Sequence, residues 1–139
     1  MLGNFISHNP AKLIFGEDAL ASLAAELAPY STIQLVYGSG SIRRFGIYNQ
    51  VIETLRAEGK TIVEDSGVMP NPTIEKLREG AQIARDNDVD FILAVGGGSC
   101  VDYAKAVAVS KDLPVGEDPW DVYFDRFEEP AADREVGPV

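Results

Sequence analysis

The chain is poor in the residues that build disulfides, metal centres and nucleic-acid surfaces. Its 139 residues include one cysteine, one histidine and one tryptophan. The single cysteine, Cys100, excludes an intrachain disulfide and suits a reducing compartment. The lone His8, with no cysteines or carboxylates around it at ligand spacing, gives no metal site. Beside Asn9-Pro10 it reads as a turn or packing residue. Lysine and arginine total 12 against 22 aspartates and glutamates, a net charge of −10, so no basic stripe is available for nucleic acid. No apolar run approaches the roughly 18 residues of a membrane span. The opening MLGNFISHNP lacks a basic segment followed by an apolar core, so no signal peptide is expected. These absences together point to the cytoplasm.

What is present describes one globular domain. Hydrophobic residues make up 45% and charged residues 24%, and the length suffices for a single core. The charge is uneven. Residues 112–139 hold nine acids against two arginines, with four prolines and little periodicity. They read as an acidic, solvated tail, with Trp120 in DPWDVYF as its anchor onto the body. The body is therefore expected over residues 1–111.

Along that body, strand and helix patterns alternate. NFISHNPAKLIFG reads as two short strands turning at Asn9-Pro10, an N-terminal hairpin over residues 3–16 closed by Gly16. Leu20, Leu23, Ala24 and Leu27 recur at helical spacing up to Pro29. TIQLVYG is a buried strand. Ile47, Val51 and Leu55 mark a helix face, with Gly59 as its C-cap. KTIVED is a further strand. Asn71 is placed to cap a helix starting at Pro72, whose stripe is Ile74, Leu77, Ala81 and Ala84. DFILAV has almost no polar residue and reads as a strand buried on both faces. Ser99 is placed to cap a last helix, with Ala104, Val107 and Ala108 facing inward. Alternation of this kind predicts an α/β fold: a Rossmann-like open, mostly parallel sheet with flanking helices and the N-terminal hairpin.

Two glycine-rich strand exits carry the chemistry. Gly96-Gly97-Gly98-Ser99 lies where a strand turns into a helix, a place where free amide donors and the helix dipole favour phosphate. It is neither GxGxxG nor a P-loop; on local physics it is a phosphate site or a tight structural turn. Asp102 and Lys105 follow on that helix, as a surface ion pair or with the acid contacting a ribose or amide. The second exit, VYGSGSIRRFG, offers Gly38, Ser39 and Ser41, then Arg43 and Arg44. Small hydroxyls beside guanidinium groups suit a nucleotide 2′-phosphate better than a bare ribose; the alternative is a solvated polar loop. Cys100 at a helix N-terminus is expected to have a lowered pKa, but without a second histidine as base it is not read as a nucleophile.

Taken together, HNPAKLIFGEDAL, VYGSGSIRRFGIYNQV, GVMPNP and GGGSCVDYAK resemble the iron-containing (group III) alcohol dehydrogenases. The match is to their butanol dehydrogenase-like, NADPH-preferring branch. The last segment, Gly-Gly-Gly-Ser-x-x-Asp-x-x-Lys, is the most specific and is shared with glycerol dehydrogenases. The resemblance implies that Gly97, Gly98 and Ser99 hold the pyrophosphate of a nicotinamide dinucleotide. It implies Asp102 at the nicotinamide end and Asn71 on the adenosine side. Gly38, Ser39 and Ser41 stand where an aspartate in NAD-preferring relatives excludes a 2′-phosphate, so NADP(H) is expected over NAD(H).

The family's other half is an all-helical domain whose aspartate and histidines bind Fe2+ or Zn2+, and this sequence stops at REVGPV without that ligand set. The chain thus resembles the nucleotide-binding half of such an enzyme, with a small alcohol or aldehyde as the whole enzyme's substrate, and with neither a catalytic residue nor a metal ligand of its own. The N-terminal hairpin implies pairing into a homodimer. Two other readings stay open: a non-catalytic nucleotide-binding or assembly module, and a glycerol-type polyol dehydrogenase, which the His-Asn-Pro and Pro-Asn-Pro segments disfavour.

Overall fold

The computed structural model describes residues 11–38 and 46–113. A short 3-10 turn, Ala19–Ser22, runs into α1 (Leu23–Glu26). Strand β1 (Thr32–Tyr37) follows, then α2 (Ile47–Ala57), β2 (Thr61–Asp65), α3 (Ile74–Asp86), β3 (Phe91–Val95) and α4 (Gly98–Ser110). The three strands are parallel in the order β2-β1-β3.

Side-chain alternation along the strands divides the core in two. Ile33, Leu35 and Tyr37 of β1 join Val51, Ile52 and Leu55 of α2 and Leu27 after α1. Val36 and Ile92, on the opposite face, join Leu77 and Ala84 of α3 and Tyr103, Ala104, Val107 and Ala108 of α4. Helices thus cover both faces. That places α2 and α3 on opposite sides, as right-handed crossovers require when the chain steps first one way from β1 and then back across it.

Local chemistry sets most boundaries. The α2 end is a Schellman cap: Gly59 adopts φ 71°, the Lys60 amide donates to Leu55 O at 3.0 Å, and the Gly59 amide donates to Arg56 O at 3.0 Å. The β1 and β3 starts are tied by Asp90, whose carboxylate accepts from the Ser31 amide at 2.9 Å and the Thr32 amide at 2.8 Å. Arg85, in the last turn of α3, donates to Ser110 O at 2.7 Å and so satisfies a carbonyl at the end of α4.

Several expectations need correction. The cap of α3 is Thr73, whose hydroxyl accepts from the Lys76 amide at 3.2 Å; Asn71 stands two residues earlier at φ 53°, outside the helix. The N-cap of α4 is Gly97, and Ser99 lies inside the first turn. Ile47 is exposed, while Val51 and Leu55 are buried as expected. The doubly buried strand is β1, not β3: β3 pairs with β1 alone among the described residues, and four of its five residues are only half-buried. The expected hairpin fares differently in its two halves. Residues 3–10 lie outside the described residues, and residues 11–15 form no strand. With no described neighbour to pair with, Leu13 and Phe15 are almost fully exposed, and Lys12 instead bridges to Glu26 at 2.8 Å.

Candidate functional site at the carboxyl ends of the strands

The sheet order locates the crevice. The chain leaves β1 toward β2, then returns across β1 to β3, and such a reversal opens a cleft at the carboxyl ends of the two strands where it occurs. Tyr37 is in register with Val95, so Gly38 and Gly96 follow as neighbours at the ends of β1 and β3. The loop after β2 joins them there, because the Val68 amide donates to Tyr37 O at 3.2 Å.

The glycines at this edge do two different jobs. A Cβ on Gly96 would stand 2.9 Å from the Cys100 sulfur, and Gly96 adopts φ 152°, a conformation that side chains rarely take. A Cβ on Gly38 would stand 3.2 Å from Val68 O and 3.8 Å from the same sulfur. These two positions are small because protein packs against them. Gly97 and Gly98, exposed like Gly96, differ in that no heavy atom would lie within 4 Å of an added Cβ. That free space stands over the first turn of a 13-residue helix. The Cys100 and Val101 amides already donate to Gly97 O at 3.1 and 3.3 Å, which leaves the donors ahead of them as the outward-facing set. An anion approaching backbone closely fits here.

Of the residues singled out from sequence, Gly38, Gly97, Gly98 and Ser99 come together at this edge, with Asp102 exposed one turn further along α4. Asn71 is exposed in the loop that follows β2. Ser39, Ser41, Arg43, Arg44, His8 and Trp120 lie outside the described residues. Cys100 is buried rather than presented to the cleft, and burial pushes its thiol pKa up, with a backbone contact at Gly38 pulling the other way. The expected lowering is overturned because desolvation outweighs the helix terminus.

A second polar feature lies beneath the loops, and the sequence reading missed it. The Asp65 carboxylate is fully buried at the end of β2. It accepts from Lys76 Nζ at 2.8 Å, Gln34 Nε2 at 2.9 Å and the Tyr103 hydroxyl at 2.6 Å. Burial, then the Asp65 carboxylate, pushes the Tyr103 hydroxyl far above the ordinary phenol range, so it stays a donor. Gln34, between Ile33 and Leu35 in TIQLVY, was the available signal, since a buried amide needs partners.

Other surfaces suit the chemistry less well. An open groove of about 360 Å³ is lined by Glu17, Asp18 and Glu53, with Leu20, Ala21, Gln50 and Thr54. Three carboxylates and no cation disfavour a phosphate there. Among the described residues no group of three or more His, Cys, Asp or Glu side chains could hold a metal ion, so they do not fit the divalent metal that the resemblance implies. No helix among them is long and apolar enough to cross a membrane.

Residues 10–136 match the model of the family described as iron-containing alcohol dehydrogenase. The chain belongs to that family. Its family relatives include the probable NADH-dependent butanol dehydrogenase 1 of Bacillus subtilis (strain 168), 46% identical over 120 residues, covering 86% of this chain and 30% of that protein. The NADPH-dependent aldehyde reductase YqhD of Escherichia coli (strain K12) is 35% identical, covering 87% and 31% respectively. The crystal structure of the NADH-dependent butanol dehydrogenase A from Thermotoga maritima superposes with a TM-score of 0.83 at 38% identity, covering 90% of this chain and 31% of that one. This family member therefore spans about a third of the length of the relatives it matches. Their names include both NADH- and NADPH-dependent enzymes, so the names alone do not choose the cofactor.

Proposed function

We propose that this chain forms the dinucleotide-binding half of an NAD(P)H-dependent alcohol dehydrogenase or aldehyde reductase. The observation that carries the reading is the open backbone at Gly97 and Gly98 over the first turn of α4, at the sheet's switch point. On this reading residues 1–111 are the binding domain and residues 112–139 an acidic tail that follows it. Amides of Gly97, Gly98 and Ser99 hold the pyrophosphate, Asp102 serves the nicotinamide end and Asn71 the adenosine side. Gly38 stands where an aspartate would exclude a 2′-phosphate. Ser39 and Ser41, with Arg43 and Arg44 nearby in sequence, favour a 2′-phosphate and hence NADP(H). The bound dinucleotide supplies or accepts the hydride exchanged with a small alcohol or aldehyde. On this reading no catalytic residue lies in this chain, and the 139 residues alone bind dinucleotide without turnover; the absence of a metal-holding cluster among the described residues supports that.

Two further proposals concern setting. The exposed Leu13 and Phe15 favour cover by a second copy, a homodimer through the N-terminal segment. The free, buried Cys100 fits a cytoplasmic location.

The test is a fluorescence titration of the chain with NADPH and NADH, repeated with Gly98→Val. Tighter binding of NADPH, lost in the variant, is expected. Equal binding of the two cofactors would remove the 2′-phosphate argument, and no binding of either by a folded sample would sink the reading.

A further inference from the structure

The buried cluster around Asp65 links four elements at the level just below the glycine loops. Gln34 comes from the middle of β1, Asp65 from the end of β2, Lys76 and Gly80 from α3, and Tyr103 from the second turn of α4. Every bond in it has a direction. Lys76 Nζ donates to Asp65 Oδ1 at 2.8 Å and to the Ser66 carbonyl at 2.8 Å, fixing the start of the loop that carries Asn71. Gln34 Nε2 donates to Asp65 Oδ2 at 2.9 Å and to the Gly80 carbonyl at 3.1 Å, while Gln34 Oε1 is left without a partner. Tyr103 has one proton, with Asp65 Oδ2 at 2.6 Å and the Lys76 carbonyl at 3.0 Å as its acceptors. The shorter, charged acceptor takes it.

Space is cut to fit this arrangement. A Cβ on Gly80 would overlap the Tyr103 hydroxyl and come within 2.9 Å of Asp65 Oδ2. Mid-helix glycine is unfavourable by itself, so its presence here answers to the tyrosine. The other buried α4 residues, Cys100, Ala104, Val107, Ala108 and Ser110, are all small; apolar contacts of this kind set no rotation, and the Arg85 bond to Ser110 O holds only the far end of the helix. Tyr103 is the α4 residue in this cluster that anchors by a directional bond to a fixed charge.

We infer that Tyr103 and Asp65 are a positioning pair for the anion-binding turn. The hydroxyl-to-carboxylate bond sets the depth and rotation of α4, and so aims the Gly97, Gly98 and Ser99 amides at a pyrophosphate. This inference rests on the dinucleotide reading above. Neither residue touches the ligand; both act through α4. The pair converts a change at the end of β2 into a change at the first turn of the next-but-one helix.

The experiment compares the wild-type 139-residue chain with Tyr103→Phe, which keeps the ring and removes the proton. Two ligands serve as probes: NADPH, which carries a pyrophosphate, and adenosine 2′-phosphate, which does not. Amide hydrogen exchange is followed at Cys100 and Val101, the amides bonded to Gly97 O, with α2 on the opposite face as internal reference. The expected result is NADPH binding weakened about tenfold with adenosine 2′-phosphate within about twofold, the scale of one buried hydrogen bond. Exchange at Cys100 and Val101 should rise relative to α2. Loss of stability alone would weaken both nucleotides and speed both helices together, and that outcome overturns the inference, as does unchanged NADPH affinity. If wild type binds no NADPH, the dinucleotide reading fails, and exchange decides alone: selective acceleration supports the positioning pair, and none overturns it. Should Tyr103→Phe fail to fold, Asp65→Asn is read by the same two measurements and the same criteria.

Discussion

A Cβ placed on Gly96 would stand 2.9 Å from the sulfur of Cys100. Two residues along, Gly98 has open space in the same test. Substitutions at the two glycines should therefore separate stability from binding. Gly96→Ala combines a clash with an unfavourable φ and is expected to lower unfolding free energy by about 2–3 kcal/mol. Gly98→Val should cost less than about 1 kcal/mol while removing NADPH binding. Urea denaturation and a dinucleotide titration on the same samples check both.

Gly80→Ala would ordinarily stabilise a helix interior by about 1 kcal/mol. Here the added methyl meets the Tyr103 hydroxyl, and overpacking of a closed site costs about 1–3 kcal/mol or more. The clash should win, giving a net loss in the urea midpoint. Adding Tyr103→Phe should recover part of that loss, because the atom nearest the methyl is then gone.

Asp90 gives a pH dependence of known sign. Burial works to raise its pKa, but bonds from the Ser31 and Thr32 amides and the Ser31 hydroxyl outweigh it, so the folded value lies below the ordinary 3.8. Its contribution is thus fully present above that ordinary value and is lost as pH falls through the lowered one. Wild type should exceed Asp90→Asn in urea midpoint at neutral pH, and the gap should narrow as pH falls below the ordinary 3.8. A gap that is constant with pH would show that the carboxylate's charge plays no part.

Cys100 should be slow to react. Its thiol is buried and its pKa is raised, and thiolate is the reactive form. Labelling by a thiol-disulfide reagent at neutral pH should occur at the rate of local opening, rising steeply in urea. Immediate stoichiometric labelling of the native chain would contradict the packing of that sulfur against Gly96.

The sequence made the layer order legible because the strands are apolar runs separated by helical periodicity, and because glycine marks each strand exit. It misjudged caps for a local reason. Asn71 and Thr73 are both good capping residues, and only the backbone, with Asn71 at φ 53°, decides that Thr73 holds the Lys76 amide. The relative burial of β1 and β3 was misread because an apolar pentapeptide does not say how many neighbours it has. Asp65, Lys76 and Tyr103 escaped notice for the opposite reason. Each is an ordinary surface type in its own segment, and their meeting depends on three elements closing over one point.

The first strand among the described residues is the middle strand of the sheet, and its two partners are supplied only after a helix each has been made. Every strand pairing among the described residues therefore waits on residues 61–65 and 91–95. During synthesis β1, apolar along most of its length, leaves the ribosome before either of its described partner strands, and α2 follows before the sheet beneath it is complete. Non-local parallel pairing is slow for this reason. The described sheet closes only once β3 has been made, and until then β1, which later lies deepest in it, has one edge without its strand.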